Sequence, residues 1–257
     1  MIIDSHCHID FPVFDHDRQQ VLDRALQNGI QNIIVPGVSA ETWPRIKEIC
    51  TQYKYLHACY GLHPYHIDQH TPADLLLLEQ WVTSENPVAI GECGLDYFLK
   101  DLDKTKQLDF FHAQLDIAVT HHLPVVIHSR KATEDIIKGI KQRTGLQGMI
   151  HSYSGSYEQA IQLIDLGFYL SFGGAITYNR ATRIRELVRK LPLNALLIET
   201  DSPDQSDLKH HKQRNEPAYI KSVIKTMTEL RSEKMEIIIN QTSRNCMSLF
   251  SGINDSI

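Results

Sequence analysis

The chain opens Ile2-Ile3-Asp4-Ser5-His6-Cys7-His8, and this stretch decides between two layouts. Both the doubly wound open sheet and the closed barrel alternate strands with helices. The open sheet often carries a glycine-rich dinucleotide turn after its first strand. Here that place is held by Ser5-His6-Cys7-His8. Outward from this opening, short apolar runs predict strands at Ile2-Ile3, Asn32 to Val35, Leu56 to Tyr60, Val88 to Ile90, Val125 to Ile127, Met149-Ile150, Phe168 to Phe172 and Ala195 to Ile198. Such runs suit strands buried on both faces. Apolar residues spaced by threes and fours predict helices over roughly 17–28, 40–52, 72–84, 104–122, 131–143, 156–166, 179–190 and 215–230. A last helix near 233–249 is expected to pack outside. Gly29, Gly145 and Gly167 stand where helices should stop, and Pro87, Pro124 and Pro192 where the next segment begins. Eight alternations in 257 residues predict an α/β protein: a (β/α)8 TIM barrel with an extra C-terminal helix, one domain over 1–257.

Composition narrows the function. The N-terminus has neither a basic segment nor an apolar one of signal-peptide form, and no uncharged apolar run is long enough to span a bilayer. The five cysteines are odd in number, scattered and without a Cys-x-x-Cys pair, which fits reduced thiols and a cytoplasmic location. The formal net charge is −5. A protein gripping duplex DNA over a long footprint usually shows a basic face; any action on nucleic acid here must rest on local positive charge, of which bound metal is one source.

The polar residues after the strands carry the chemistry. His6 and His8 follow the first, His63 the third, Glu92 the fourth, His128 and Arg130 the fifth, His151 the sixth and Asp201 the eighth. In a barrel these positions converge on the C-terminal rim. His6 and His8 share a strand face and can hold one ion, while Cys7 points away. Asp4, one step deeper, either orients a ligand histidine or serves the barrel interior. Glu92 is flanked by Gly91 and Gly94 after an apolar strand; a carboxylate there is costly to bury unless paired or coordinated, and its two oxygens can join two cations. His128 and His151, each ending an apolar run, read as ligands of a second ion. Asp201 can touch a metal and take a proton from its water. Each residue alone has a commoner bland reading, a satisfied core histidine or a salt-bridged carboxylate; their joint placement argues for a site. The other histidines read as solvated, with His66 set apart by its closeness to His63. The run Arg180, Arg183, Arg185, Arg189 and Lys190 reads as a solvated helix face.

Taken in order, His6-Cys7-His8, Gly61-Leu62-His63-Pro64, Gly91-Glu92-Cys93-Gly94-Leu95-Asp96, His128-Ser129-Arg130, the His151 strand end, Glu199-Thr200-Asp201-Ser202-Pro203 and Arg214-Asn215-Glu216-Pro217 resemble the TatD family of metal-dependent deoxyribonucleases, in the wider amidohydrolase-like group. The resemblance covers nearly the whole chain. It implies a (β/α)8 fold with one or two divalent cations, one held by His6, His8, Glu92 and Asp201, the other by Glu92, His128 and His151. It also implies that His63 and Arg130 face the substrate phosphate. One departure stands out: where the family commonly continues with a Tyr-Leu-type stretch, this chain reads Asp204-Gln205-Ser206-Asp207. That loop borders the expected site, so the departure bears on substrate preference rather than on metal binding.

The resulting expectation is phosphoester hydrolysis by metal-activated water, with Glu92 and Asp201 catalytic and DNA or another phosphoester as substrate; no membrane or protein partner is evident. Imidazole-rich ligation tilts towards Zn, Mn, Co or Fe over Mg. Two alternatives compete: an amidohydrolase-like enzyme acting on a small amide, lactone or phosphoester, and a non-catalytic protein whose metal is structural.

Overall fold

The computed structural model describes residues 1–253. Eight strands form one parallel sheet in sequential order: β1 (Ile2–Asp4), β2 (Ile30–Pro36), β3 (Leu56–Tyr60), β4 (Ala89–Asp96), β5 (Val125–Arg130), β6 (Gly148–Ile150), β7 (Phe168–Phe172) and β8 (Leu196–Ile198). Between them run α1 (Arg18–Gln27), α2 (Trp43–Gln52), α3 (Pro72–Glu85), α4 (Lys104–Thr120), α5 (Thr133–Lys141), α6 (Tyr157–Asp165) and α7 (Thr182–Lys190). Two more, α8 (Ile220–Arg231) and α9 (Met235–Leu249), follow β8. This is the (β/α)8 barrel. Local sequence starts its helices: Thr71 with Asp74, and Ser156 with Gln159, close capping boxes, and Asp103 accepts from the amides of Thr105 and Lys106. Each cap stabilises its helix by about 1 kcal/mol.

Backbone and side-chain hydrogen bonds together close the seam between β8 and β1. Ser5 N donates to the Ile198 carbonyl at 3.0 Å, Asp201 N to that of His6 at 2.9 Å, and His8 N to that of Ser202 at 2.8 Å. Asp4 accepts from Thr200 N at 2.9 Å and from Thr200 Oγ1 at 2.5 Å. Of its two expected roles, Asp4 takes the structural one, and burial raises its carboxyl to about 8.

The barrel interior explains where the site stands. One buried cluster draws Ile3, Ile34, Cys59, Ala89, Val126, Met149 and Leu197 from seven strands, with Tyr169 of β7 packed against it. Side chains alternate along a strand, so the next inward positions after Val126, Met149 and Leu197 are His128, His151 and Glu199. Apolar floor gives way to polar rim within one repeat. The same cluster includes Cys246, Leu249, Phe250 and Ile253. The expected outside packing of the last helix is therefore corrected. The C-terminal end of α9 closes the barrel floor, because without it the inward ring of apolar side chains would face water. Among the described residues, no helix is long and apolar enough to cross a membrane.

Candidate metal centre and active-site cavity

Two groups of nitrogen and oxygen donors meet on Glu92, which is 1% exposed. In the first, Glu92 Oε2 lies 3.1 Å from His6 Nε2 and 3.4 Å from His8 Nε2. Asp201 Oδ1 adds a second carboxylate oxygen, 3.4 Å from His6 Nε2 and 3.7 Å from His8 Nε2. In the second, Glu92 Oε1 lies 3.1 Å from His128 Nδ1 and 3.0 Å from His151 Nε2. Backbone geometry allows this crowding. At Gly94, φ is +136°, and a Cβ would sit 2.0 Å from the His128 carbonyl oxygen; only glycine lets β4 run so close to β5 there.

The electrostatics are those of a carboxylate ringed by imidazoles. Burial pushes Glu92 up, but the charges of His151, His63 and His6 and a hydrogen bond from His128 outweigh it and hold the carboxyl well below its ordinary range. Burial opposes protonation of His8; Glu92, Asp201 and Asp10 overcome it and lift the ring to about 9. His128 and His151 also rise against burial, through Asp96 with Glu92 and through Glu92 with Glu199 respectively. Burial, reinforced by His151, keeps His6 low.

These donors fit divalent cations. His6 Nε2 and His8 Nε2 stand 3.2 Å apart, as do His128 Nδ1 and His151 Nε2, so at most one proton fits between the members of each pair. Glu92 Oε2 is buried and accepts no hydrogen bond, although two ring nitrogens approach it. Donors crowded this closely, with room for too few hydrogens to pair them all, are satisfied by a cation, and an imidazole–carboxylate set suits a transition-type divalent ion. No thiol joins: Cys7 and Cys93 are buried, with their sulfurs towards the carbonyls of Ser202 and Val126.

Around these donors stand residues that strand-end reading did not single out. Asp96 Oδ2 lies 3.1 Å from His128 Nε2, on the ring edge away from Glu92. Glu199 Oε1 accepts from Ser152 N at 2.7 Å and lies 3.6 Å from His151 Nδ1, a charge contact rather than a hydrogen bond. Carboxylates behind ligand histidines fix ring orientation and raise basicity. Alternation along β4 and beyond β8 was the available signal, since 92, 94 and 96 share a face, as do 199 and 201. Gln205 had no such signal. Its Nε2 donates to Asp201 Oδ2 at 2.5 Å, and its Oε1 accepts from Ser152 Oγ at 2.8 Å.

His63 stands closer to the centre than a purely substrate-facing group. Its Nε2 is 3.0 Å from Glu92 Oε1, near His128. Tyr65 N donates to His63 Nδ1, and burial lowers the ring to about 4. The neutral ring therefore carries its proton on Nε2 and donates it into the centre. Arg130 stands outside both groups, lining a lobe of about 480 Å3 with His128, His151 and Asp201. A second lobe of about 400 Å3 holds His8, His63, His66 and Glu92. The remaining histidines are not uniformly solvated: His70 is buried against the His63 carbonyl, and His210 stacks on Tyr219 at 3.5 Å. The arginine run divides as well. Arg189 and Lys190 pair with Glu186, while Arg183 and Arg185 donate to the carbonyls of Ser154 and Ile176.

A parallel barrel with clustered imidazoles and carboxylates at its C-terminal rim belongs to the class of metal-dependent hydrolases with an amidohydrolase-like fold. The chain belongs to the TatD family: the family described as TatD related DNase matches residues 3–251. The Escherichia coli metal-dependent hydrolase YjjV is 37% identical over 252 residues, covering 97% of each chain. The Bacillus subtilis metal-dependent hydrolase YabD is 35% identical over 252 residues, covering 97% of this chain and 99% of its own. The solved structure of Escherichia coli YjjV superposes with a TM-score of 0.93 at 36% identity, covering 97% of both chains. A TatD family hydrolase from Entamoeba histolytica, at 22% identity, 97% and 98% coverage and a TM-score of 0.86, shares the fold.

Proposed function

We propose that this chain hydrolyses phosphoester bonds, with DNA as its substrate class, using divalent cations held by His6, His8, Glu92 and Asp201 and by Glu92, His128 and His151. The observation that carries the reading is the sharing of Glu92 between two donor groups beneath an open polar cavity. When bound, divalent cations supply Lewis acidity, lowering the pKa of water from 15.7 towards about 7 and offsetting negative charge on phosphoryl oxygens. The protein does the rest. Asp201, with one oxygen in the donor group and the other held by Gln205, orients the attacking water and takes its proton. His63 presents Nε2–H towards the centre, and Arg130 a guanidinium to the larger lobe; both donate to phosphoryl oxygens as charge builds there. Burial of the donors limits competing hydration of the ligand histidines.

Asp201→Asn tests the assignment. The amide keeps an oxygen for a cation but cannot accept a proton near neutral pH, so turnover on a DNA oligonucleotide should fall by about 100- to 10,000-fold, far more than metal content falls. Metal stoichiometry and rate are measured side by side at saturating metal. Near-normal turnover removes Asp201 from its role. A parent enzyme that cleaves amides or lactones and no phosphoester removes the substrate reading.

A further inference from the structure

Gln205 stands where three spaces of the C-terminal rim meet. It lines the larger lobe, the smaller lobe and a groove of about 680 Å3 beyond them. It belongs to Asp204-Gln205-Ser206-Asp207, the stretch in which this chain departs from the family pattern. The residue is exposed, yet its amide is held at both ends. Nε2 donates to Asp201 Oδ2 at 2.5 Å, and Oε1 accepts from Ser152 Oγ at 2.8 Å. Chemistry fixes these directions. An ionised carboxylate only accepts, so the amide turns its nitrogen to Asp201 and its oxygen to the serine hydroxyl. Ser152 N donates in turn to Glu199 Oε1 at 2.7 Å, the carboxylate behind His151. The two donor groups are therefore joined twice: inside by Glu92, and outside by a chain of hydrogen bonds through Asp201, Gln205, Ser152 and Glu199.

The backbone beneath this chain is held as firmly. Asp201, Gln205 and Ser152 have φ of +55°, +48° and +45°. Residues with a Cβ enter that left-handed region at a cost, and such positions gather at functional sites. On one side of Gln205, Asn215 Nδ2 donates to the carbonyls of Thr200 and Asp204, both at 2.8 Å. On the other, the Tyr178 hydroxyl lies 3.0 and 3.2 Å from the carbonyls of Ser206 and Asp207. A Cβ at Gly174 would run into the Gln205 carbonyl oxygen, so the loop sits directly on the turn after β7. A carboxylate has a broad rotation about its last bond; left alone, Asp201 could turn both oxygens to the donor group or neither. One N–H on Oδ2, anchored across the rim, leaves Oδ1 facing His6 and His8 at 3.4 and 3.7 Å.

We propose that Gln205 is a positioning residue for Asp201: by holding Oδ2 it assigns one carboxylate oxygen to the donor group and keeps the other out of it, and Ser152 anchors that hold to the second group. This rests on the phosphoester reading only for the bond that is cleaved.

The test compares the full-length protein with Gln205→Met, Ser152→Ala, Asp201→Ala and the double variant Asp201→Ala/Gln205→Met. Methionine keeps the length of the side chain and loses both hydrogen bonds. On bis(p-nitrophenyl) phosphate, Gln205→Met should lower kcat about tenfold, the scale of a hydrogen bond to a charged group. It should lower kcat/KM equally, leaving KM unchanged. Ser152→Ala, which removes only the far anchor, should lower kcat about threefold. The double variant should match Asp201→Ala, because Gln205 acts through a carboxylate that is gone; a residue that merely shapes the loop would lower both backgrounds alike. A second readout needs no turnover. Visible absorption of the cobalt(II)-loaded protein follows coordination geometry. It should differ between the parent and Gln205→Met and coincide between Asp201→Ala and the double variant. Coincident spectra for the parent and Gln205→Met, an unchanged kcat, or the same fractional loss in both backgrounds overturns the positioning role. Spectra that differ as expected, in a parent that cleaves no phosphoester, overturn the phosphoester reading and leave the positioning role standing.

Discussion

The two donor groups that meet on Glu92 are built differently. The group around His6 and His8 draws its negative charge from the inside: Glu92 Oε2 and Asp201 Oδ1 both face the ring nitrogens, while the rings' other nitrogens are buried without hydrogen-bond partners. The group around His128 and His151 has one inner carboxylate oxygen, Glu92 Oε1, and draws support from behind, from Asp96 on one ring and Glu199 on the other. Inner carboxylates can neutralise a cation directly. Outer ones work through the ring, fixing its orientation and raising its basicity. On the proposed reading, the first group would combine coordination with proton transfer through Asp201, and the second would hold a cation steadily.

Removing Glu92 should collapse the contrast, since both groups lose an oxygen at once. Glu92→Ala is expected to empty both groups and lower hydrolysis by at least about 1,000-fold, the scale of several kcal/mol of lost Lewis-acid stabilisation. Elemental analysis of the purified variant checks it; one full equivalent of metal retained would mean that one group stands without the bridge. Asp96→Asn should sharpen the contrast. Asparagine keeps an oxygen for the amides of Phe98 and Leu99 that Asp96 Oδ1 accepts, but turns an N–H towards His128. Metal affinity of the second group should fall by about 10- to 100-fold and that of the first should not, so a competition titration becomes biphasic. A uniform loss across both would erase the distinction.

The most gradual effect expected is in pH. His8 is raised to about 9 in the metal-free protein, above its ordinary value, and must shed its proton to ligate. Apparent metal affinity of the first group should therefore climb by about tenfold per unit from pH 7 to 9 and then flatten. The sign for stability is the opposite. A raised histidine stabilises the metal-free fold below about pH 6.5, and that contribution is lost as pH rises through about 9. Thermal unfolding in EDTA at pH 6, 7.5 and 9 should show Tm falling along the series for the parent and falling less for His8→Asn; equal slopes for the two would show that His8 is not raised in the metal-free protein.

Most of the barrel was legible because its signals are local. Leu56–Tyr60 and Phe168–Phe172 coincide with their apolar runs, and Gly29, Gly145 and Gly167 adopt φ of +84°, +81° and +86° where their helices stop. The role of α9 was not legible, because an amphipathic period says that a face is buried without saying against what. Period and strand-end position likewise put His6, His8, His63, Glu92, His128, His151 and Asp201 on one rim. They could not separate the oxygens of Glu92 or divide the histidines into two groups.

Order along the chain is enough to choose a barrel and to load its rim with imidazoles and carboxylates, because alternation and strand direction are properties of the backbone. Which atom meets which is decided across the sheet. Asp4 meets Thr200 across 196 residues, Ser152 meets Gln205 across 53, and His63 meets Glu92 across 29. Those contacts are set by strand register, seam closure and the short range of hydrogen bonds, and they come into being only when the barrel closes.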